Sequence, residues 1–264
     1  MIIGGGKRAD VIVDRFIALA RGKTGGKILV IPNASSVPDT SGMEQAEEFR
    51  ERGATNVEWV LIDSAAARRP GAADRLKGVT GIFFTGGDQV RLTRDFLHTP
   101  VLERMKELYA EGAVVGGTSA GAAVMSRIML TGDEAINKDP RESFPFMKKG
   151  NVVTVEGFGF LTDVIVDQHF VRRKRHNRLL TVVMEHPEKV AMGIDESTAL
   201  IVHPGGMMEV AGDRSVVVYD ARSSKDPRLD ARGNQGVTGV TLHILLSGDR
   251  YDPVRGTVTP GERH

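Results

Sequence analysis

The chain contains no cysteine. Disulfides, thiolate nucleophiles and cysteine-ligated metals are therefore excluded. It has no excess of either charge: 35 lysines and arginines stand against 34 acids, a formal charge of +1. The strongly basic face of a dedicated nucleic-acid binder is thus missing. No apolar run approaches the roughly 18 residues that span a bilayer. The opening MIIGGGKRAD has no apolar stretch of signal-peptide length. These absences lead us to expect a soluble, cytoplasmic protein with neither membrane nor nucleic acid as partner. Ile2-Ile3 looks like the stub of a strand, which leaves an upstream start open.

What is present is ordinary globular material. The 264 residues are 41% hydrophobic and 26% charged, enough to bury a large core. No repeat, linker-like stretch or low-complexity tract divides them, so a single α/β domain over residues 1–264 is expected. In the first half, short apolar runs of the buried-strand type recur at Lys27-Pro32 (KILVIP), Val57-Ile62, Gly81-Thr85 (GIFFT) and Ala113-Gly116. Segments with helical spacing separate them: Val11, Ile12, Phe16 and Leu19; Ala46, Phe49 and Arg50; Val101, Leu102, Met105 and Leu108. Near-continuous apolar strands alternating with helices predict a mostly parallel sheet covered by helices on both faces. Such sheets place their sites beyond the carboxyl ends of the strands. Residues 131–162 read as a long polar, glycine-rich excursion. Val164-Asp167 reads as a strand followed by a helix through Arg178-Val183. After Val190 the pattern turns β-rich, with strands expected at 198–202, 207–210, 215–219 and 240–246.

The segment Gly117-Thr118-Ser119-Ala120-Gly121 matches G-x-S-x-G and follows the strand signal AVVG. Strand, tight turn and helix are the context that makes this motif a nucleophile elbow. Glycines fit where side chains would collide with the turn. The Ala120 amide, at the helix start, then points toward a developing oxyanion. A plain glycine-rich turn with an incidental serine is the bland alternative. A serine nucleophile needs a base. Of seven histidines, only His169 directly follows a buried-strand signal, in VDQHF, while His203, in HPGG, is the reserve. The carboxylate that orients such a base is Asp195 or Glu196, in GIDESTAL, and spacing alone does not choose between them. The Gly86-Gly87-Asp88-Gln89 turn follows another strand, so an amide at Gly87 is a natural second oxyanion donor, though a plain turn explains it equally well.

Four arginines and a lysine fall within residues 172–178. Read at helical spacing, His169, Arg172, Arg173 and His176 share neighbouring faces, with Arg175 and Arg178 three apart. Arginines beside a base suggest an acidic substrate held through bidentate carboxylate pairs.

Together, GGTSAGAAVM, DQHFVRRKRHNRL and GIDESTAL, with TGGDQ upstream, resemble the cyanophycinases, in the serine peptidase family that also contains aspartyl dipeptidases. The resemblance runs from Ile28 to about Leu245. It implies a fold like that of class I glutamine amidotransferases, with serine replacing the usual cysteine. It also implies hydrolysis of cyanophycin, a poly-aspartate carrying arginine on each β-carboxyl, to β-aspartyl-arginine dipeptides. Carried over, the resemblance makes Ser119 the nucleophile, His169 the base and Glu196 the acid. It assigns substrate contacts to Gln89, Asp167, Gln168, Arg173, Arg175 and Arg178. It calls for no cofactor and no metal, and a homodimer is left open. The chain departs from the pattern in its nearly missing first strand and in the extra basicity of residues 172–175.

Three other readings compete. An α/β-hydrolase esterase needs the order Ser, Asp or Glu, His, which would enlist His203 or His243. A phosphate-binding module would use Gly4-Gly5-Gly6-Lys7 or Gly22-Lys23-Thr24. A P-loop, however, needs glycine five residues before the second, and Ile17 stands there. An aspartyl dipeptidase or other acidic-peptide hydrolase of the same family is the third.

Overall fold

The computed structural model describes residues 1–139 and 141–262; His264, one of the seven histidines, lies outside them. The order begins β1 (Ile2–Ile3), α1 (Asp10–Leu19), β2 (Lys27–Ile31), α2 (Pro38–Glu51), β3 (Asn56–Trp59), α3 (Ser64–Ala67), β4 (Val79–Phe84), α4 (Gln89–Phe96), α5 (Pro100–Ala110), β5 (Val114–Thr118) and α6 (Ala120–Ala123). Side-chain caps start three of the helices, the short α3 among them, where Asp63 accepts from the Ala66 amide. Asp88 accepts from the Val90 amide, and Thr99, ahead of Pro100, accepts from the Leu102 amide.

The chain continues through β6 (Ile128–Glu134), β7 (Val152–Glu156), β8 (Val164–Gln168), α7 (His176–Glu185), β9 (Val190–Ile194), β10 (Thr198–Val202), β11 (Met208–Gly212), β12 (Val216–Asp220), β13 (Lys225–Leu229), β14 (Gln235–Thr238), β15 (Thr241–Leu245), β16 (Arg250–Asp252) and β17 (Thr257–Thr259). The largest sheet runs β17-β16-β11-β10-β1-β5-β4-β2-β3. Here the expectation of a mostly parallel sheet needs correction. Pairing is parallel from β1 through β5, β4 and β2 to β3, but antiparallel from β1 through β10, β11 and β16 to β17. The sheet is mixed, because the β-rich C-terminal third adds hairpins rather than crossover units. The change of sense falls at β1.

Alternation along the strands divides the core. Ile28 and Val30 pack with Ile12, Phe16, Ile17 and Phe49 of α1 and α2. Leu29, Ile31 and Phe84 face the other way, toward α4 and α5. A second sheet, β15-β12-β9-β8, joins this second core through Val166, Met192 and Val218 and carries α7 on its far side. Helices therefore do cover both faces of the parallel half.

Two local expectations are corrected as well. In α1 the buried stripe is Ile12, Val13, Phe16 and Ile17, while Val11 and Leu19 are exposed. The face is rotated toward the Phe16–Phe49–Phe83 ring cluster. The excursion at 131–162 contains the antiparallel pair β6–β7, whose register shifts between Leu130 and Glu134. That irregularity, together with the polar TGDE end, hid the strand alternation. Among the described residues, no helix is long and apolar enough to cross a membrane.

The α1 register is testable. Ile17→Ala should cost about 2–5 kcal/mol in urea unfolding, whereas Val11→Ala should stay within about 0.5 kcal/mol. Equal costs would contradict this packing.

Candidate active site

The loops that follow β5, β8 and β9 converge at one rim. β5 ends at Thr118, and Ser119 turns the chain into α6 with φ 53° and ψ −108°. A side chain at Gly117 would meet the Gly121 carbonyl at 2.4 Å, and one at Gly121 would meet the Phe84 carbonyl at 2.3 Å, so the turn admits only glycine at both places. His169, directly after β8, has φ 50°, and Ser197, next to Glu196, has φ 54°. Strain of this kind, on the order of 1–3 kcal/mol per residue, persists where the surroundings over-determine the backbone.

Ser119 Oγ lies 2.9 Å from His169 Nε2, and His169 Nδ1 lies 2.7 Å from Glu196 Oε1. An ionised carboxylate only accepts, so Nδ1 carries the ring proton and Nε2 is left to accept from the serine. His169 is almost wholly buried. Burial pushes its imidazole below the ordinary pKa, the Glu196 hydrogen bond opposes this, and the charges of Arg173 and Arg175 push it down further. Asp195, the other carboxylate in GIDESTAL, has a different environment. It accepts from the Arg172 amide at 2.9 Å and from the Arg214 guanidinium at 3.3 Å.

The loop after β4 passes beside the serine: a Cβ on Gly86 would lie 3.4 Å from Ser119 Cβ. Gly87 has φ 139° and presses on the Ala34 carbonyl, where a side chain would come within 2.0 Å. Among the described residues, the amides of Gly87 and Ala120 have no backbone hydrogen-bond acceptor.

The arginine segment differs from the helical reading. Residues 171–175 form turns and α7 begins only at His176, because positive φ at His169 and Lys174 breaks the helical path. His176 thus shares no face with His169; its Nδ1 is 2.7 Å from the Tyr219 hydroxyl, and its ring packs edge-on to Phe170. Arg178 is buried and grips both oxygens of buried Asp167, its Nε donating at 2.6 Å. Arg175 donates to the Gln168 carbonyl at 2.7 Å and to Gln168 Oε1 at 2.8 Å. Burial, with the neighbouring Arg178 and Arg173 charges, lowers its pKa to about 10 against the pull of Asp167. Gln89, at the start of α4, donates to the carbonyls of Leu130 and Thr131 at 2.8 and 2.6 Å. Arg173 is exposed and charged beside His169.

His203 follows β10 and Glu196 precedes it. The two thus flank opposite ends of a five-residue strand, which is itself about 13 Å long at roughly 3.3 Å per residue. His203 Nε2 pairs instead with Glu209 at 2.7 Å. His243 lies in β15 with its ring beside Tyr251, so neither histidine that the esterase order requires is at the serine, where His169 stands. The Gly4–Gly6 run, read in sequence as a phosphate decoy, closes on His169 and Glu196. Its only signal was three consecutive glycines after an apolar pair.

The model of peptidase family S51 matches residues 1–210. The chain belongs to peptidase family S51. Among its relatives, the cyanophycinase of Synechococcus elongatus is 36% identical over 260 residues, covering 96% of this chain and 78% of its own. Those of Nostoc sp. and Geminocystis herdmanii are each 34% identical, covering 98% and 96% of this chain and 87% and 92% of their own. Two solved structures share the fold of this S51 peptidase. One is a peptidase from an acI-B1 actinobacterium, with TM-score 0.69 and 21% identity over 94% of this chain and 93% of that one. The other is a putative peptidase E protein from Listeria monocytogenes, with TM-score 0.52 and 18% identity over 76% and 93%.

The His169 environment predicts a titration. Its imidazole should titrate below the ordinary value of about 6.5. Arg173→Gln should raise it, because removing a nearby cation makes the protonated ring less unfavourable. NMR titration of the ring protons checks both. The unfolded chain binds this proton first. The histidine's contribution to stability is therefore full above about pH 6.5 and is lost as pH falls through the folded-state pKa. A titration above 6.5 would contradict this environment.

Proposed function

We propose that this S51 peptidase hydrolyses cyanophycin to β-aspartyl-arginine dipeptides through an acyl-enzyme on Ser119. The observation that carries the chemistry is the unbroken chain from Ser119 Oγ through the His169 ring to Glu196, at 2.9 and 2.7 Å. The substrate rests on relatives called cyanophycinases that match nearly the whole chain at 34–36% identity.

In this mechanism Ser119 Oγ attacks the scissile carbonyl carbon while His169 Nε2 takes the hydroxyl proton. Glu196 holds Nδ1–H and stabilises the imidazolium. The Gly87 and Ala120 amides donate to the tetrahedral oxyanion. The imidazolium then protonates the leaving nitrogen, the amine departs, and an ester remains on Ser119. Water, deprotonated by His169, attacks that ester, and collapse releases a carboxylate and returns the proton to Ser119. A depressed histidine pKa suits this role, since the ring must be neutral to begin.

Arg173 and Arg175 supply cationic groups for substrate carboxylates. Gln89 and Gln168 are the further substrate contacts that the family resemblance implies. Arg178 and Asp167 act as a pair: the buried guanidinium is committed to the aspartate, and the pair braces the end of β8 under His169. One folding unit is the domain reading we adopt, supported by a core that joins Ile2, Phe84, Val166, Met192 and Tyr251. A nucleophile on a tight turn after a central parallel strand supports the glutamine amidotransferase-like assignment.

Incubation with cyanophycin should release β-aspartyl-arginine, and Ser119→Ala should reduce kcat on the order of a million-fold without lowering the melting temperature. Glu196→Gln should cost activity. Asp195→Asn should cost chiefly stability, because it weakens the acceptor for Arg172 and Arg214. Release of the dipeptide by a folded Ser119→Ala protein would sink the proposal.

The arginines should separate by readout. Arg173→Gln should lower kcat/KM by roughly thirty- to a thousand-fold, the equivalent of about 2–4 kcal/mol from a lost bidentate carboxylate pair. Arg178→Gln should instead destabilise the fold by up to about 3–5 kcal/mol, because it leaves buried Asp167 with only the more distant Arg175 cation, 3.7 Å away. Denaturant melts and steady-state kinetics on both variants decide it, and an unaltered melt for Arg178→Gln would refute the brace.

A further inference from the structure

One three-residue segment touches all three loops of the candidate site. The Ile3 carbonyl accepts from the Ser119 amide at 3.0 Å. The Gly4 carbonyl accepts from the His169 amide at 2.7 Å, and the Gly4 amide donates to the Thr198 carbonyl at 3.0 Å. The Gly5 carbonyl accepts from the Ser197 amide at 3.1 Å, and the Ser197 hydroxyl donates to the Lys7 carbonyl at 2.5 Å. Backbone alone therefore ties the serine, histidine and glutamate loops together.

The same segment lies flat against the side chains. Gly5 is buried at φ 100°, and a Cβ there would stand 2.4 Å from both Cε1 and Nε2 of His169 and 3.0 Å from Nδ1. Gly6, at φ 69°, has the Glu196 side chain where its Cβ would be, with Cβ, Cδ and Oε2 all at 3.0 Å. A Cβ on Gly4 would overlap the Asp195 carbonyl at 2.0 Å. The imidazole ring is thus held from one side by a bare Cα, and at its two nitrogens by Ser119 and Glu196.

We propose that Gly5 is a positioning residue for His169: its side-chain-free face fixes the imidazole plane in line with Ser119 Oγ and Glu196, and the Gly4–Gly6 strap keeps the three loops in register. The proposal rests on the Ser119–His169–Glu196 reading of the site. A methyl group at Gly5 cannot be accommodated by the strap, because the hydrogen bonds of Gly4 and Gly5 fix it on both sides. The ring must move instead. A displacement of about 1 Å at a reacting group costs on the order of a hundredfold in rate.

Gly25 provides the control. Its φ is 90°, close to that of Gly5, yet a Cβ there meets nothing within 4 Å. Gly25→Ala therefore places a methyl group at a similar positive φ without the collision. Labelling by a fluorophosphonate probe needs only the nucleophile and its base, so its rate reads His169 placement independently of substrate binding. Gly5→Ala should label about a hundredfold more slowly than Gly25→Ala, lose kcat in proportion and keep KM within about twofold. It should also shift or lose the low-field imidazole N–H resonance of the His169–Glu196 pair. A folded Gly5→Ala protein that labels within about threefold of Gly25→Ala overturns the proposal.

If Gly5→Ala fails to fold, Gly6→Ala decides. Its φ lies in the left-handed region that alanine enters at modest cost. There Glu196 must recede by a few tenths of an ångström. Labelling should slow by about tenfold. The His169 titration should also move lower, because the retreating carboxylate is the group that raises it against burial, Arg173 and Arg175. Unchanged labelling and titration overturn the proposal by this route. Ser119→Ala separates the two levels. If it still turns over cyanophycin, the site reading and the strap fall together. If it is inert while Gly5→Ala matches Gly25→Ala, the strap alone falls.

Discussion

The geometry depends on a two-residue strand inserted between two longer ones. β1 pairs in parallel with β5 on one side and antiparallel with β10 on the other. Ile2 and Ile3 are almost fully buried, one on each face of the sheet, and belong to the two separate cores. The sheet changes from parallel to antiparallel at this strand. Without the change, β10 would not run toward the opposite rim, and Glu196 would not precede it at the rim where β5 ends. Ser119 and Glu196 are brought to one end of the sheet because a strand leaving that end and a strand entering it share a neighbour.

The parallel half of this arrangement was legible in sequence for a physical reason. Strands buried on both faces read as unbroken apolar runs, and KILVI, VTGIFF and VVGGT each lie between helices with apolar spacing. The C-terminal strands are another matter. β13 is KDPRL, exposed along its whole length, and β16 and β17 have three residues each. Backbone pairing holds these segments, helped by the buried Tyr251 of β16, and pairing leaves little mark on composition. The same limit applied at the site. Ser119 and His169 stood out because each follows a buried strand. The choice between Glu196 and Asp195 needed the family resemblance, since both occupy one short turn and only their direction differs. Gly4–Gly6 figured only as a phosphate decoy, because three glycines signal close approach without saying to what.

The arginines show where composition misleads about environment. Residues 172–178 read as one basic surface, yet burial sorts them. Arg178 is committed to Asp167 in the interior, and Arg175 is largely covered and bound to Gln168. Arg172 and Arg173 remain in solvent. A buried, paired guanidinium stabilises structure chiefly by keeping its partner satisfied. An exposed one is free to meet an incoming anion. The chain alternates these two kinds within a single turn and the start of α7.

That alternation bears on the histidine. Burial disfavours the protonated form of His169, as do the charges of exposed Arg173 and covered Arg175, and Glu196 opposes them. A ring held neutral by its surroundings is free to accept a proton at rest, but it is a weaker base, and its protonated form is less stable during reaction. Glu196 resolves the conflict through direction. Its carboxylate, 2.7 Å from Nδ1, contributes most at the moment the ring becomes positive. A substrate carboxylate drawn to Arg173 would add to this by cancelling one of the two repulsive charges. Binding an anionic substrate would then make His169 a stronger base than it is in the empty site. In the proposed function the basic turn would thus couple recognition to chemistry, and a substrate with no negative charge to bring would lose the coupling.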